Sequence, residues 1–358
     1  MMRNAMNESF DIYLADLVND FEGHFYIMQA LHKLTHSHYI DTKEKKIVVK
    51  KNPIKGTIIR MIMYHRVLTE ANKRNGMKVI HFITGDKFYF LPILFSPESK
   101  KTKVVMTLHR CPTNLFYVHL LKNFANRISK VIVLGEAMKD DLNRMGIYNV
   151  EVIDHPSFFD YTIIDEKAEL RKRFSVTDDN IVISALGGTR YDKGLDLLLD
   201  SFAYISPRLK NRITLCIAGA EQDFKKEYIE GKIKKYKIKA IVDLRYLSDI
   251  EFCEYVKLTD WIALPYRSSF KGVSGPMTEG LSLGIPCIVP KGSILHKFAN
   301  TFGLCVPFDT ENVEALAQVL VNIVENRVTL NPHDTERLSE KRFIEKHFVL
   351  YNSLFAKP

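Results

Sequence analysis

Short apolar runs alternate with amphipathic stretches along most of the chain. In the first half, the apolar runs predict six strands: Asp11–Leu14, Lys46–Lys50, Val79–Ile83, Lys103–Leu108, Lys130–Leu134 and Val150–Ile153. A second series follows at Ile181–Leu186, Ile213–Ala218, Trp261–Leu264 and Cys287–Val289. Because strands that alternate with helical patterns indicate parallel, doubly wound sheets, the two series predict two Rossmann-like α/β domains.

Helical periodicity fills the gaps between these strands. In the first half it falls at Gly23–Leu34, Thr57–Asn75 and Thr113–Asn126. The charged stretch Asp165–Arg173 fits a linker that runs into the next helix, and an amphipathic stretch, Lys341–Leu354, ends the chain. We therefore expect domains at residues 1–165 and 166–338, followed by a helical segment at 339–358.

The second series opens with a clear strand–loop–helix unit. The strand Ile181–Gly187 leads into a short loop, and the helix Gly194–Ile205 follows with apolar residues at i, i+3, i+4 and i+7. The loop therefore lies at the carboxyl edge of a sheet, where open α/β folds bind ligands. It carries Gly188, Arg190 and Lys193, and two cations at that edge suit a diphosphate.

A second candidate element is the segment Ser274–Pro290, SGPMTEGLSLGIPCIVP. Its Gly-Pro start favours a helix entrance, where backbone amides have no intrahelical partner and attract phosphate. Because Pro276 has no N–H, the donors would come from Gly275, Met277 and Thr278. One turn further, Glu279 is placed to accept hydrogen bonds from a pair of sugar hydroxyls. Phosphate-binding amides beside a carboxylate predict a nucleotide-sugar site.

Composition sets limits on the class of protein. The chain has 358 residues, of which 46% are hydrophobic and 26% charged, and this is typical of a globular protein of two domains. No apolar run approaches the roughly 20 residues that cross a bilayer, and the N-terminus lacks a signal-peptide pattern, so we expect a cytoplasmic protein.

The cysteines are far apart and lie in apolar contexts, which predicts reduced thiols and no metal site. They are Cys111, Cys216, Cys253, Cys287 and Cys305.

Positive charge is concentrated in residues 43–110. This segment holds 16 lysines and arginines against four acids, a net charge of +12, so the rest of the chain carries about −3 of the total of +9. Such a patch suits anionic lipid, nucleic acid or a phosphorylated acceptor. The basic helix Thr57–Asn75 fits either a membrane-docking helix or a core helix with snorkelling lysines.

Taken together, these blocks resemble the GT-B glycosyltransferases, in particular the retaining family 4. The resemblance rests on GGTRYDKGLDLLLDSF, on LSDIEFCEYVKLTDWIALPYRSS (Leu247–Ser269) and on SGPMTEGLSLGIPCIVP. MTLHR (Met106–Arg110) and Val131–Pro156 match more loosely. The likeness is good over residues 180–325 and partial over 75–160. It implies two Rossmann-like domains that face a central cleft, an acceptor-binding first domain, a donor-binding second domain, and a C-terminal helix that packs back toward the first.

The resemblance also implies roles for individual residues. Arg190 and Lys193 would hold the donor diphosphate, with Ser274 and the amides beyond it on phosphate. Glu279 matches the second glutamate of the family's paired-glutamate motif, which contacts the ribose. His109 matches a histidine beside the transferred sugar and is the candidate catalytic residue. Gly23 is a weak match to a glycine that lets the acceptor domain approach the phosphates.

The chain departs from the family at the first glutamate of the pair. Lys271 stands there, eight residues before Glu279, and reverses the charge where the family contacts the donor sugar. A lysine at this position fits an added phosphate contact or an acidic sugar, and it leaves open how the donor sugar is recognised.

The resemblance predicts a retaining transferase that moves a sugar from a nucleotide-sugar, UDP- or GDP-linked, to a saccharide acceptor. No metal ion or other cofactor is expected, because the two cations replace it and no Asp-X-Asp pair is present. We expect a lipid-linked acceptor in bacterial surface polysaccharide or lipopolysaccharide synthesis, with residues 43–110 as a candidate contact with an anionic membrane. The alternatives are a sugar-nucleotide epimerase or glucan-synthase-like enzyme of the same fold, and a basic nucleic-acid-binding protein. Nucleic acid is not the expected partner, since the basic segment lacks a recognised binding motif.

Overall fold

The computed structural model describes most of the chain from residue 101 onward and separate stretches before it. The described residues are 11–15, 30–31, 38–39, 58, 61–62, 65–66, 68–69, 71–73, 75–85, 101–112, 114–123, 127–270 and 272–356. The predicted strand Lys46–Lys50 lies outside them and stays a prediction.

The first sheet has six parallel strands in the order β2-β1-β3-β4-β5-β6. They are β1 (Asp11–Ala15), β2 (His38–Tyr39), β3 (Lys78–Phe82), β4 (Thr102–Leu108), β5 (Lys130–Val133) and β6 (Val150–Val152). All five residues of β3 are buried, as expected for a parallel strand that is covered on both faces. The strand β2 escaped prediction because two residues are too short to form an apolar run.

The second sheet is also parallel, in the order β12-β11-β10-β7-β8-β9. Its strands are β7 (Ile181–Leu186), β8 (Ile213–Ala218), β9 (Ala240–Asp243), β10 (Trp261–Ala263), β11 (Cys287–Pro290) and β12 (Cys305–Phe308). The two edge strands, β9 and β12, were not predicted. Every residue of β9 is only half-buried, which weakens the apolar pattern that marks a central strand.

Helices connect these strands in both sheets. They are α1 (Leu115–Asn123), α2 (Glu136–Arg144), α3 (Lys167–Arg173), α4 (Leu195–Ser201), α5 (Pro207–Lys210), α6 (Lys226–Tyr236), α7 (Asp249–Leu258), α8 (Gly275–Ser282), α9 (Ile294–Asn300), α10 (Val313–Val324) and α11 (Glu340–Ser353). The sequence signals their starts, because Ser248 forms a capping box on α7, and Ser293 and Asn312 cap α9 and α10. Alternation of strand and helix in two parallel sheets confirms the predicted α/β class.

Two compact units divide the chain. One comprises Met1–Asp154 together with Glu340–Pro358, and the other comprises His155–Ser339. The division after Asp154 falls earlier than the predicted boundary at residue 165. The helix α11 belongs to the first unit, as the resemblance led us to expect for the C-terminal segment.

A buried polar cluster joins α11 to the first sheet. In β3, His81 forms hydrogen bonds with the Tyr351 hydroxyl (2.6 Å from Nδ1) and the Thr107 hydroxyl (2.8 Å from Nε2). His347 stacks on His81, with ring centroids 5.6 Å apart, and its Nδ1 donates to the Phe343 carbonyl. Burial lowers the pKa of His81 well below its usual value and that of His347 to about 4. Both rings are therefore neutral at pH 7.

The buried histidines predict that the first unit loses stability in mild acid. The neutral state of His347 contributes stability above the unfolded pKa of 6.5, and this contribution is lost as the pH falls through the folded value of about 4. We expect the free energy of unfolding of the wild type, relative to His347→Gln, to fall by up to about 3 kcal/mol between pH 7 and pH 4. Urea denaturation at a series of pH values measures this difference.

The matched control is His119→Gln, which removes an exposed histidine of α1 in the same unit. The pH trend for His347→Gln should exceed any trend for this control over the same pH range. A flat difference for His347→Gln would contradict the assignment of a buried neutral ring.

Candidate functional site

The loop after β7 carries the predicted diphosphate ligands. It runs from Gly187 to Gly194, and a 3-10 turn, Tyr191–Lys193, lies within it. Gly194 has a φ of +63°, and a Cβ on this residue would collide with the carbonyl oxygen of Pro265, so a glycine is required where the loop meets the chain after β10. The loop is thereby held at the carboxyl edge of the second sheet, as predicted.

Lys193 points back across this loop toward α8. A Cβ placed on Gly187 would lie 2.7 Å from Lys193 Nζ and 3.8 Å from Cγ of Pro276, so the ammonium and the first turn of α8 face the same small space. The Lys193 ammonium lies 5.7 Å from the centre of the Tyr266 ring and 3.4 Å from the carbonyl oxygen of Leu186. The loop after β7 and the start of the segment Ser274–Pro290, which the sequence predicted to bind phosphate, are therefore close together in the structure.

Arg190 forms an ion pair within its own loop, unlike Lys193. Its Nε and Nη2 donate to the two oxygens of Asp192 at 2.8 and 2.9 Å, and this carboxylate raises the pKa of the guanidinium. The pairing neutralises much of the arginine's charge within the loop itself. Gly188 lies just before it, and a Cβ there would meet the amide group of Gln222 at 2.6 Å.

Helix α8 begins at the predicted position with Ser274 as its N-cap. The Ser274 hydroxyl lies 3.2 Å from the Tyr266 hydroxyl and accepts from the Met277 amide at 3.5 Å. The Thr278 amide donates to the Ser274 carbonyl at 3.0 Å. Two of the three predicted amide donors thus have partners inside the helix. The third, Gly275, is exposed to solvent.

Glu279 is only 5% exposed and faces the segment that enters the second unit. One of its oxygens accepts from the Ser157 hydroxyl at 2.5 Å and from the Tyr161 hydroxyl at 3.1 Å, and the Phe158 amide is a further donor. Burial raises the pKa of this carboxyl from 4.5 to about 7, although the three donors oppose the shift. In this structure the carboxylate holds the 157–161 segment.

His109 belongs to the first unit, directly after β4. Its Nε2 donates to the carbonyl oxygen of Ile83 at 2.8 Å, so Nε2 carries a proton. This hydrogen bond joins the ends of two neighbouring strands, β3 and β4, and fixes the ring at the carboxyl edge of the first sheet.

Two predicted site residues, Gly23 and Lys271, lie outside the described residues. Within the part of the chain that the structure describes, no group of three or more histidine, cysteine or carboxylate side chains could hold a metal ion. Among the same residues, no helix is both long and apolar enough to cross a bilayer.

Sequence reasoning missed the residues that support this site. Tyr266 and Arg267 form contacts with the loop, and Ser157 and Tyr161 contact Glu279. Thr189 ties the loop to the one after β8, since its hydroxyl accepts from the Gln222 amide and donates to the Phe224 carbonyl. The Pro-Tyr-Arg sequence after an apolar strand was a visible signal, whereas the Ser157 and Tyr161 contacts had none.

Comparison with known proteins gives consistent matches. The sequence profile described as "Glycosyl transferases group 1" matches residues 166–342. An Escherichia coli protein described as O-antigen biosynthesis glycosyltransferase WclY is 24% identical over 198 residues. That alignment covers 54% of this chain, and the chain spans about half (52%) of the length of this curated relative.

Solved structures match over almost the whole chain. Sucrose-phosphate synthase from Thermosynechococcus elongatus has a TM-score of 0.71 at 13% identity, covering 97% of this chain and 99% of its own. HepE from Anabaena, solved in complex with UDP, has a TM-score of 0.70 at 14% identity, covering 96% of this chain and 100% of its own. At this identity the likeness establishes the fold, and that fold is the GT-B fold predicted from the sequence.

The buried carboxyl of Glu279 predicts a pH-dependent cost to stability. An acid whose pKa is raised on folding contributes stability below its unfolded value of 4.5 and loses it as the pH rises through the folded value of about 7. We expect the free energy of unfolding of the wild type, relative to Glu279→Gln, to fall by up to about 3 kcal/mol between pH 4.5 and pH 8. Denaturant titrations across this range measure it.

Glu230→Gln, at an exposed position of α6, is the matched control, and the pH trend for Glu279→Gln should exceed any trend in it. The variant Tyr161→Phe removes one donor, so it should move the transition to higher pH. If the wild type and Glu279→Gln differ by the same amount at every pH, the carboxyl is not buried as described.

Proposed function

We propose that this chain, whose residues 166–342 match the glycosyl transferases group 1 family, transfers a sugar from a nucleotide-sugar donor to a saccharide acceptor. The observation that carries the proposal is the convergence of Lys193, Tyr266 and Ser274 at the first turn of α8. A cation beside a helix N-terminus suits the diphosphate of such a donor. Because HepE has been solved with UDP, uridine nucleotides are the first probes to use.

The proposed chemistry depends on the leaving group. A nucleoside diphosphate departs with increasing negative charge, and a fixed ammonium with helix amides stabilises that charge as it develops. We assign this role first to Lys193, with the Gly275 amide, since Arg190 is already paired with Asp192. Transfer is proposed to need no divalent metal and to retain the anomeric configuration. Retention rests on the family resemblance, and no enzymic nucleophile is assigned.

His109 is the proposed contact with the transferred sugar. Its ring is fixed at the carboxyl edge of the first sheet by the hydrogen bond that Nε2 donates to the Ile83 carbonyl. Glu279 is proposed to contact the ribose, as in the family, after exchanging one of its donors on the 157–161 segment for a sugar hydroxyl.

For the acceptor we propose a lipid-linked saccharide of bacterial surface polysaccharide or lipopolysaccharide synthesis. The O-antigen glycosyltransferase, which aligns with 54% of this chain, supports a role in this kind of pathway. In the first unit, Leu115 is 84% exposed and Phe116 is 63% exposed in the first turn of α1, and the basic segment 43–110 precedes them. Exposed apolar side chains that follow a basic segment in the sequence favour contact with an anionic bilayer surface.

Calorimetric titration with UDP, GDP, ADP and CMP, in Mg²⁺ and in EDTA, tests the donor site. We expect one nucleoside diphosphate to bind selectively, with equal affinity in both buffers. Lys193→Met should weaken it at least about tenfold, because a hydrogen bond to a charged group contributes roughly 1.5–3 kcal/mol. Arg190→Gln should cost less, since Asp192 already pairs with the guanidinium.

Lys234→Met, at an exposed lysine of α6, should bind the nucleotide as the wild type does. His109→Ala should also keep nucleotide affinity but lose turnover, because it belongs to the other unit. If none of the four nucleotides binds the folded wild type, the donor assignment is wrong.

Vesicle sedimentation tests the membrane contact. The protein should cosediment with vesicles that contain phosphatidylglycerol and should remain in the supernatant with pure phosphatidylcholine. Leu115→Gln combined with Phe116→Gln should weaken binding several-fold, through lost apolar burial. Val349→Gln removes an exposed apolar side chain from α11 of the same unit and serves as the control. Equal binding by the wild type and the double variant would contradict this surface.

A further inference from the structure

Arg267 is a largely buried arginine beneath the loop 187–194. Its side chain is 10% exposed. Its Nη1 and Nη2 donate to the two carboxylate oxygens of Asp196 at 3.0 and 2.6 Å, and Nη1 also donates to the Tyr191 carbonyl at 2.8 Å. The guanidinium therefore joins the loop to the first turn of α4.

Two more contacts hold the same loop. The Arg267 guanidinium lies 3.9 Å from the centre of the Tyr191 ring, and the Arg267 backbone amide donates to the Asp192 carbonyl at 2.9 Å. The carboxylate of Asp192 in turn holds Arg190. Two residues before Arg267, the carbonyl oxygen of Pro265 lies against Gly194. Pro265, Tyr266 and Arg267 thus form a platform under the 3-10 turn that carries Lys193.

We infer that Arg267 is a positioning residue that fixes the loop 187–194 in the shape that binds the donor diphosphate. The inference rests on the proposed function. Arg267 does not itself bind the diphosphate, because its guanidinium is buried, paired with Asp196 and covered by Tyr191. It acts on Lys193, whose ammonium reaches the first turn of α8 only while the turn before it is held.

The pattern of contacts requires an arginine. A planar guanidinium makes a paired interaction with a carboxylate and stacks on an aromatic ring at the same time, whereas a lysine ammonium offers a point charge on a flexible stem. Arg267→Lys keeps the charge and loses this geometry. Asp196→Asn keeps the volume of its partner and removes the charge of the pair.

Comparing the affinities of the variants for UDP and for UMP distinguishes a change in the shape of the loop from a general loss of protein stability. We expect Arg267→Lys and Asp196→Asn each to lower the affinity for UDP about tenfold and to leave UMP affinity nearly unchanged, because the loop acts on the terminal phosphate. The double variant should lose no more UDP affinity than either single variant, since both substitutions break the same ion pair. Arg208→Lys, at an exposed arginine of α5, is the control and should match the wild type.

Hydrogen exchange of the protein without ligand tests the same inference independently of any nucleotide. The amides of Lys193 and Gly194 donate to the carbonyls of Arg190 and Tyr191 at 3.1 Å each. In Arg267→Lys and Asp196→Asn these two amides should exchange several-fold faster, while β7 and β8 exchange as in the wild type.

The outcomes are distinct. If the wild type binds no nucleoside diphosphate but exchange at the loop rises in the variants, the proposed function fails and Arg267 still positions the loop. If the wild type binds UDP and the folded variants keep both the UDP-to-UMP affinity ratio and the exchange rates, the inference about Arg267 is overturned.

Discussion

The second unit of this protein depends on one close approach, where Gly194 packs against the carbonyl oxygen of Pro265. A side chain at residue 194 would separate the loop after β7 from the chain after β10. Lys193 would then lose the Tyr266 ring beneath it, and the Tyr266 hydroxyl its alignment with the Ser274 cap of α8. Charged side chains such as Lys193 are common on loops, whereas the backbone contact that brings Lys193 to the first turn of α8 requires a glycine at residue 194.

Most of the fold follows from the apolar runs, because central parallel strands are buried on both faces and leave a continuous signal, as in β3 and β8. The edge strands β9 and β12 were missed, since a strand with one neighbour is only partly buried; β9 ends in an aspartate, and β12 contains a proline. The start of α8 and the position of the loop were predicted from glycine, proline and helical spacing, which are local properties of the chain.

What the sequence did not reveal about the candidate site is long-range pairing. Ser157 and Glu279 are 122 residues apart, and no local pattern marks a serine as the donor to a distant carboxylate. The same holds for Arg267 and Asp196, separated by 71 residues. For Arg190, the loop composition predicted a diphosphate ligand but did not reveal that Asp192 pairs with the guanidinium. Charge counting along a sequence identifies a charged loop but does not assign which charge meets a ligand.

The assignment of α11 to the first unit has a consequence for synthesis. His81 and Tyr351 form a hydrogen bond across 270 residues of chain, and the whole second unit is encoded between them. The second unit is continuous, so all of its residues have been synthesised once residue 339 is added. The first unit, although begun earlier, lacks α11 and Tyr351 until the residues after 339 have been added. During translation the order of completion is therefore the reverse of the order of the sequence.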